Sequence, residues 1–306
     1  MRLLKSLIAI LFLCLPIGSF EPIANAGFGY SNLPVIPSYA TAFGITKLNR
    51  YFAFSDNSSL DLAETNGSGF AWYITNPPNY PLSTCGGSPC PANNPAWFTN
   101  PSNNKTLVIT NNAANGQGAQ TMAFGWISTG VVVGQSTWPG SAGFYFEALA
   151  QVSYTVDQCS VAGLTPDLWI QDRPGTIAQI QGSGSFRFGE IDVFEACVNL
   201  DGYSYLMAQT IVDWGTWNTN SYTRNGYQLS PSPNFRRYGV LMVPMSANGG
   251  TGFVQWYVDG VATGSPISWT ASNQFGAILE NGNFEINFAA GVNIPLSIKS
   301  IYVATP

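Results

Sequence analysis

Short runs of β-branched and aromatic residues recur along the chain, separated by clusters of Gly, Asn, Pro and Ser. The runs are Thr106 to Thr110, Gly143 to Thr155, Asp167 to Gln171, Phe186 to Ala196, Tyr205 to Val212, Tyr238 to Pro244, Gly252 to Val258, Phe284 to Ala289 and Ser297 to Ala304. Their length and composition predict strands. A helical period is lacking, apart from a short turn expected near Gln274 to Glu280. Val258-Asp259-Gly260-Val261 predicts a hairpin tip, because Asp-Gly suits a two-residue turn. Many strands without intervening helices imply an all-β sandwich or barrel. No internal repeat or linker divides the chain, and the stretch from Asn76 to Asn104, rich in Pro, Asn and Gly, predicts a long loop.

The first 26 residues read as a secretory signal. Arg2 and Lys5 precede an apolar run from Leu7 to Leu15, and Ala24-Asn25-Ala26 supplies the small-x-small pattern of a cleavage site. Residues 27–306 are then expected to form a single domain, secreted to the extracellular space or periplasm. No later stretch is long and apolar enough to predict a membrane helix.

Charge narrows the partners. The chain carries 11 Lys+Arg against 16 Asp+Glu, a net of −5. Without basic clusters it is a poor match for nucleic acid. Charged residues are 9% and aromatic residues 14%. A surface so rich in amides, hydroxyls and rings suits neutral sugars. Histidine is absent, which excludes a Ser-His-Asp or Cys-His mechanism and removes the commonest zinc ligand. Cys85, Cys90, Cys159 and Cys197 follow the signal. In an exported chain they read as two disulfides with three connectivities, and the turn-rich Cys85-to-Cys90 segment is able to close on itself. A zinc site of the four cysteines is the rival, with unsuitable spacing.

Chemistry concentrates in Phe188-Gly189-Glu190-Ile191-Asp192-Val193-Phe194-Glu195-Ala196. Alternate strand residues share a face, so Phe188, Glu190 and Asp192 point one way. Glu195 falls on the wrong side of a regular strand. One β-bulge at Val193 or Phe194 returns it to the face of Glu190. Two carboxyl groups on one face suit a retaining glycosidase, with Glu190 as nucleophile and Glu195 as acid/base. Asp192 between them would hydrogen-bond a neighbouring glutamate and help keep the acid protonated. The competing readings of these acids are a calcium site and a solvent-facing strand. Catalysis of this kind requires no cofactor, and a structural calcium is compatible with the acidic set.

This stretch resembles the Glu-x-Asp-x-x-Glu signature of glycoside hydrolase family 16, in the bulged form of laminarinases, agarases and carrageenases. Flanking segments follow the family's order. Phe54-Ser55-Asp56 with Leu60 and Trp72 resembles its opening, and Leu107-Val108-Ile109 an early strand. Phe144-Tyr145-Phe146-Glu147-Ala148 resembles the strand before the active site, and Pro166-Asp167-Leu168-Trp169-Ile170 its Pro-Ala-x-Trp-Leu strand. Trp256-Tyr257-Val258-Asp259-Gly260 and Ile298-Lys299-Ser300-Ile301-Tyr302-Val303 resemble its last strands. The resemblance implies a β-jelly-roll sandwich of two antiparallel sheets with a concave substrate cleft. It further implies that antiparallel pairing of Leu168 to Ile170 with Phe188 to Glu190 brings Cys159 near Cys197, where a disulfide would brace the catalytic strand. Three positions depart from the family pattern. Met207-Ala208-Gln209-Thr210 stands where a His is frequent, with Gln209 the nearest substitute; Leu149 replaces an Arg, and Asp167 replaces an Ala.

Phe188, Trp169, Trp214 and Trp217 are the candidate sugar-stacking rings, with Gln209 as a hydrogen-bonding neighbour; Trp256 reads as packing. The expected activity is endo-hydrolysis of a β-linked polysaccharide, first a β-1,3- or mixed-linkage glucan. An agarase- or carrageenase-type galactanase and a transglycosylase are the enzymatic alternatives. A lectin-like binder is the non-catalytic one, against which the joint presence of Glu190 and Glu195 argues. A monomer is expected.

Overall fold

The computed structural model describes residues 34–54, 106–109, 138–152, 154, 166–172, 185–200, 203–216, 232–272, 274–289 and 294–306, with seven short strands elsewhere. Of residues 109, 185–188, 196–200, 203–216, 274–275, 289 and the seven short strands, the backbone alone is described. The expected signal segment and Trp217 lie outside the described residues. Ile36–Pro306 forms a unit separate from Met1–Val35.

Eleven strands carry the argument: β1 (Lys47–Ala53), β2 (Leu107–Ile109), β3 (Phe144–Val152), β4 (Asp167–Asp172), β5 (Ser185–Leu200), β6 (Tyr203–Thr216), β7 (Arg236–Val243), β8 (Thr251–Val258), β9 (Val261–Thr270), β10 (Asn283–Ala289) and β11 (Leu296–Thr305). One sheet runs β9-β8-β7-β3-β11-β2 and ends on Phe98–Thr99, with β1 also paired to β11. The other runs from Ser221–Thr223 through β6-β5-β4-β10 to Trp126–Ser128, Trp72–Ile74 and Leu60–Asp61. Pairing is antiparallel except between the last two short strands. This is the two-sheet sandwich the strand pattern implies. Each of the nine expected runs contains a strand, and β1 and β9 are additions. The polar β9, with burial restricted to Ile267 and Trp269, lacks the apolar alternation that marks a strand in sequence.

Alternation explains the layers. On β3, Phe144, Phe146, Ala148, Ala150 and Val152 turn inward to the core. They meet Leu168 and Ile170 of β4, Ile191, Val193 and Phe194 of β5, and Phe284, Ile286 and Phe288 of β10. The outer face of the β3 sheet is also apolar, and Tyr145, Leu241, Val243, Tyr257 and Tyr302 form a second cluster there. The segment from Ile36 to Leu48, with the short helix α1 (Ser38–Thr41), covers it. Tyr39 stacks on Tyr257 at 4.0 Å between ring centroids. The outer face of the β4–β5–β10 sheet is polar instead. Among the described residues, that difference gives the β4–β5–β10 sheet a face suited to a hydrophilic ligand.

Two local predictions are met. Val258 pairs with Val261 across Asp259 and Gly260, whose φ of 51° and 81° give the left-handed pair a tight hairpin turn needs. Helix α2 (Gln274–Asn281) follows β9. Its Leu279 lies against Gly189, where an added Cβ would come within 2.9 Å of the Leu279 Cδ2.

Candidate active site

The ladder between β4 and β5 runs Gln171–Glu190, Ile170–Ile191 and Trp169–Asp192, then resumes at Leu168–Phe194 and Asp167–Glu195. Val193 is therefore the extra residue. On the other side, β6 shows the same irregularity, with Gln209 opposite Asp192 and Met207 opposite Glu195. The bulge lies where the sequence required it, and it places Glu195 in phase with Glu190. Their partners Asp167 and Gln171 are four residues apart, a span of about 13 Å at strand rise. Ile191, Val193 and Phe194 are all core residues, so burial of the opposite face fixes the register. The expected pairing of Leu168 to Ile170 with Phe188 to Glu190 is corrected by about three residues. Leu168 to Ile170 meet Ile191 to Phe194, because the core-facing Leu168 and Ile170 align with Ile191 and Phe194.

Directly opposed residues share a face, and three cross-strand rows result. Glu190 lies beside Gln171, which lies beside Glu285. Asp192 lies between Gln209 and Trp169, and Trp169 beside Asn287. Glu195 lies between Met207 and Asp167, and Asp167 beside Ala289. Within the first row the Gln171 side-chain amide donates to Glu190 Oε2 at 2.7 Å. The Trp169 indole N–H, at 3.4 Å, points to Gln171 Oε1. Glu190 and Glu195 are partly exposed, whereas Asp192, Gln171, Glu285 and Asn287 are buried.

Asp167 is the singular group. Burial raises its carboxyl well above the ordinary range, the charges of Glu195 and then Glu190 add to this, and a hydrogen bond from the Leu168 backbone opposes it. Its Oδ1 is buried with no hydrogen-bond partner among the described residues. Gln171, Glu285 and Asn287 were not singled out from sequence. Their signal was present in the polar–apolar alternation of Asp167 to Gln171 and of Asn283 to Phe288.

For the other candidates the backbone gives registers. Phe188 is opposite Asp213, in phase with Glu190, whereas Trp214 is opposite Arg187, one step out of phase. Trp169 is buried on the face of Asp192. Cys85 belongs to a two-residue strand paired with Ser88–Pro89, and Cys197 sits at a second irregularity of β5, between Ala196 and Val198. The cysteine sulfurs lie outside the described residues. Among the described residues no cluster of three His, Cys, Asp or Glu has metal-binding geometry. No helix there is long and apolar enough to cross a membrane.

No protein-family model and no curated protein sequence matches the chain. Solved structures do. An endo-1,3-β-glucanase from Streptomyces sioyaensis superposes with a TM-score of 0.59 at 18% identity, covering 90% of this chain and all of that one. A non-specific endo-β-1,3(4)-glucanase from glycoside hydrolase family 16 gives 0.55 at 13% identity, over 85% of this chain and 95% of the other. A β-porphyranase from Bacteroides plebeius gives 0.50 at 14% identity, over 84% and 92%. The protein thus has the β-jelly-roll sandwich fold of these glycan-cleaving enzymes.

Proposed function

We propose that the protein is a retaining endo-β-glycosidase of the glycoside hydrolase family 16 type, acting on a β-1,3- or mixed-linkage glucan. The observation that carries this reading is the bulge at Val193, which puts Glu190 and Glu195 on one polar face. In the first step Glu190 attacks the anomeric carbon while Glu195 gives its proton to the departing glycosidic oxygen. Water then enters, Glu195 takes its proton, and the bond to Glu190 breaks. The Gln171 amide on Oε2 orients the Glu190 carboxylate, so that Oε1 is the attacking oxygen. Asp192, between the two glutamates, disfavours loss of the proton from Glu195 while it is itself charged. The glucanase likeness favours glucan over galactan. Export, and a single catalytic domain over 27–306, complete the reading.

The test is reducing-end release from laminarin, lichenan, agarose, carrageenan and xyloglucan by the wild type, E190S and E195Q. Activity on a glucan that disappears in both variants, with the anomeric configuration retained in the first product, supports the proposal. Binding without cleavage of any polymer sinks it in favour of a lectin.

A further inference from the structure

Asp167 stands where the resembling family has Ala, and the fold places it directly across the strand pair from Glu195. Opposed residues of an antiparallel pair have their Cβ atoms about 4.5–5.5 Å apart, within reach of one shared proton between two short acidic side chains. Asp167 Oδ1 is buried with no donor among the described residues, so an ionised Asp167 is met only by the Leu168 backbone hydrogen bond and its charge is poorly compensated. A proton held between the two carboxyls relieves that cost without any cation. Among the described residues, the register sets no Lys or Arg in this row. Met207 of β6 and Ala289 of β10 flank the pair, and the charged groups nearby are Glu190 and Asp192 on β5 and Glu285 further along β10.

We propose that Asp167 is a positioning residue for the acid/base: Asp167 and Glu195 titrate as one carboxyl pair that keeps a single proton through neutral pH. The proposal rests on the reading of Glu195 as acid/base and adds to it a fourth carboxylate. At low pH the pair holds two protons. The first leaves in the usual carboxylate range, and the second stays because its loss would set two negative charges side by side. The retained proton is the one Glu195 delivers to the leaving group. In the glycosyl-enzyme the pair carries two negative charges briefly, and water restores the proton.

The test is the pH dependence of kcat/KM for wild type, D167N and D167A, using the polymer that the wild type cleaves. Removal of the second charge is expected to move the alkaline limb to lower pH by about one unit or more in both variants. A limb that stays in place while the variants remain active overturns the proposal. A second readout does not need activity. The melting temperature is followed against pH for wild type, D167N, E195Q and the double variant. The raised carboxyl of Asp167 favours folding below the ordinary carboxylate range and loses that contribution as pH rises through its folded value. D167N should therefore gain on wild type as pH rises, and the gain should shrink in the E195Q background. Additive, pH-independent effects overturn the pair. If no polymer is cleaved but the coupling is seen, the function fails and the pair stands.

Discussion

The indole N–H of Trp256, on β8 of one sheet, donates to the main-chain carbonyl of Asp192 on β5 of the other, at 2.8 Å. Asp192 is the residue next to the bulged Val193, where regular ladder pairing is broken. A side chain from the far sheet thus serves the backbone where the strand loses its step. Trp256 is 1% exposed, so water does not substitute.

Trp256→Phe keeps most of the ring and deletes this donor. Leaving a buried carbonyl short of a partner costs about 1–3 kcal/mol. The expected result is a melting temperature lower by roughly 2–4 °C per kcal/mol, with kcat reduced because the bulge that aligns Glu195 loosens. Thermal melts and steady-state kinetics check both.

Gln171→Leu removes the amide that holds Glu190 Oε2 while preserving bulk. A hydrogen bond to a charged group contributes about 1.5–3 kcal/mol. If that energy is expressed in the transition state, kcat falls about 10- to 100-fold. KM should change far less, because the bond orients the nucleophile and not the sugar. An unchanged kcat would show that Glu190 is held by other contacts.

Gly276→Ala tests a conflict of two effects. In an exposed helix this change favours folding by about 1 kcal/mol. Here a methyl at residue 276 runs into the ring of Trp269, whose indole is tied to Glu280 Oε1 at 2.7 Å. Overpacking of this kind costs about 1–3 kcal/mol, so net destabilisation is expected in a denaturant titration.

Glu147 gives a pH prediction away from the site. Burial raises its carboxyl, and the Tyr145 hydroxyl bond at 2.8 Å and the Arg237 charge only partly offset this, with Asp259 adding to the rise. A folded value above the unfolded one means that its contribution is full below about pH 4 and is lost as pH rises through the raised value. Glu147→Gln should therefore gain in melting temperature relative to wild type between weakly acidic and neutral pH. A constant difference across that window would contradict it.

The local rules were strong enough to fix much of this from sequence. Strand-length runs of β-branched and aromatic residues mark Phe144 to Val152 and Phe284 to Phe288 as strands. The Asp259-Gly260 turn follows from the two residues that tolerate positive φ. The need for a bulge followed from the odd spacing of Glu190 and Glu195 with apolar residues between them.

What the tertiary structure alone decided is which residues oppose one another across strands distant in sequence. Pairing of β4 with both β5 and β10 places Gln171 on Glu190 and Asp167 on Glu195. Nothing in the local pattern gives a register between strands some twenty residues apart, and the sequence-based alignment missed it by about three. The register is a collective outcome. Burial of Leu168, Ile170, Ile191, Val193 and Phe194 in one core selects it, and the polar partners on the other face come with it.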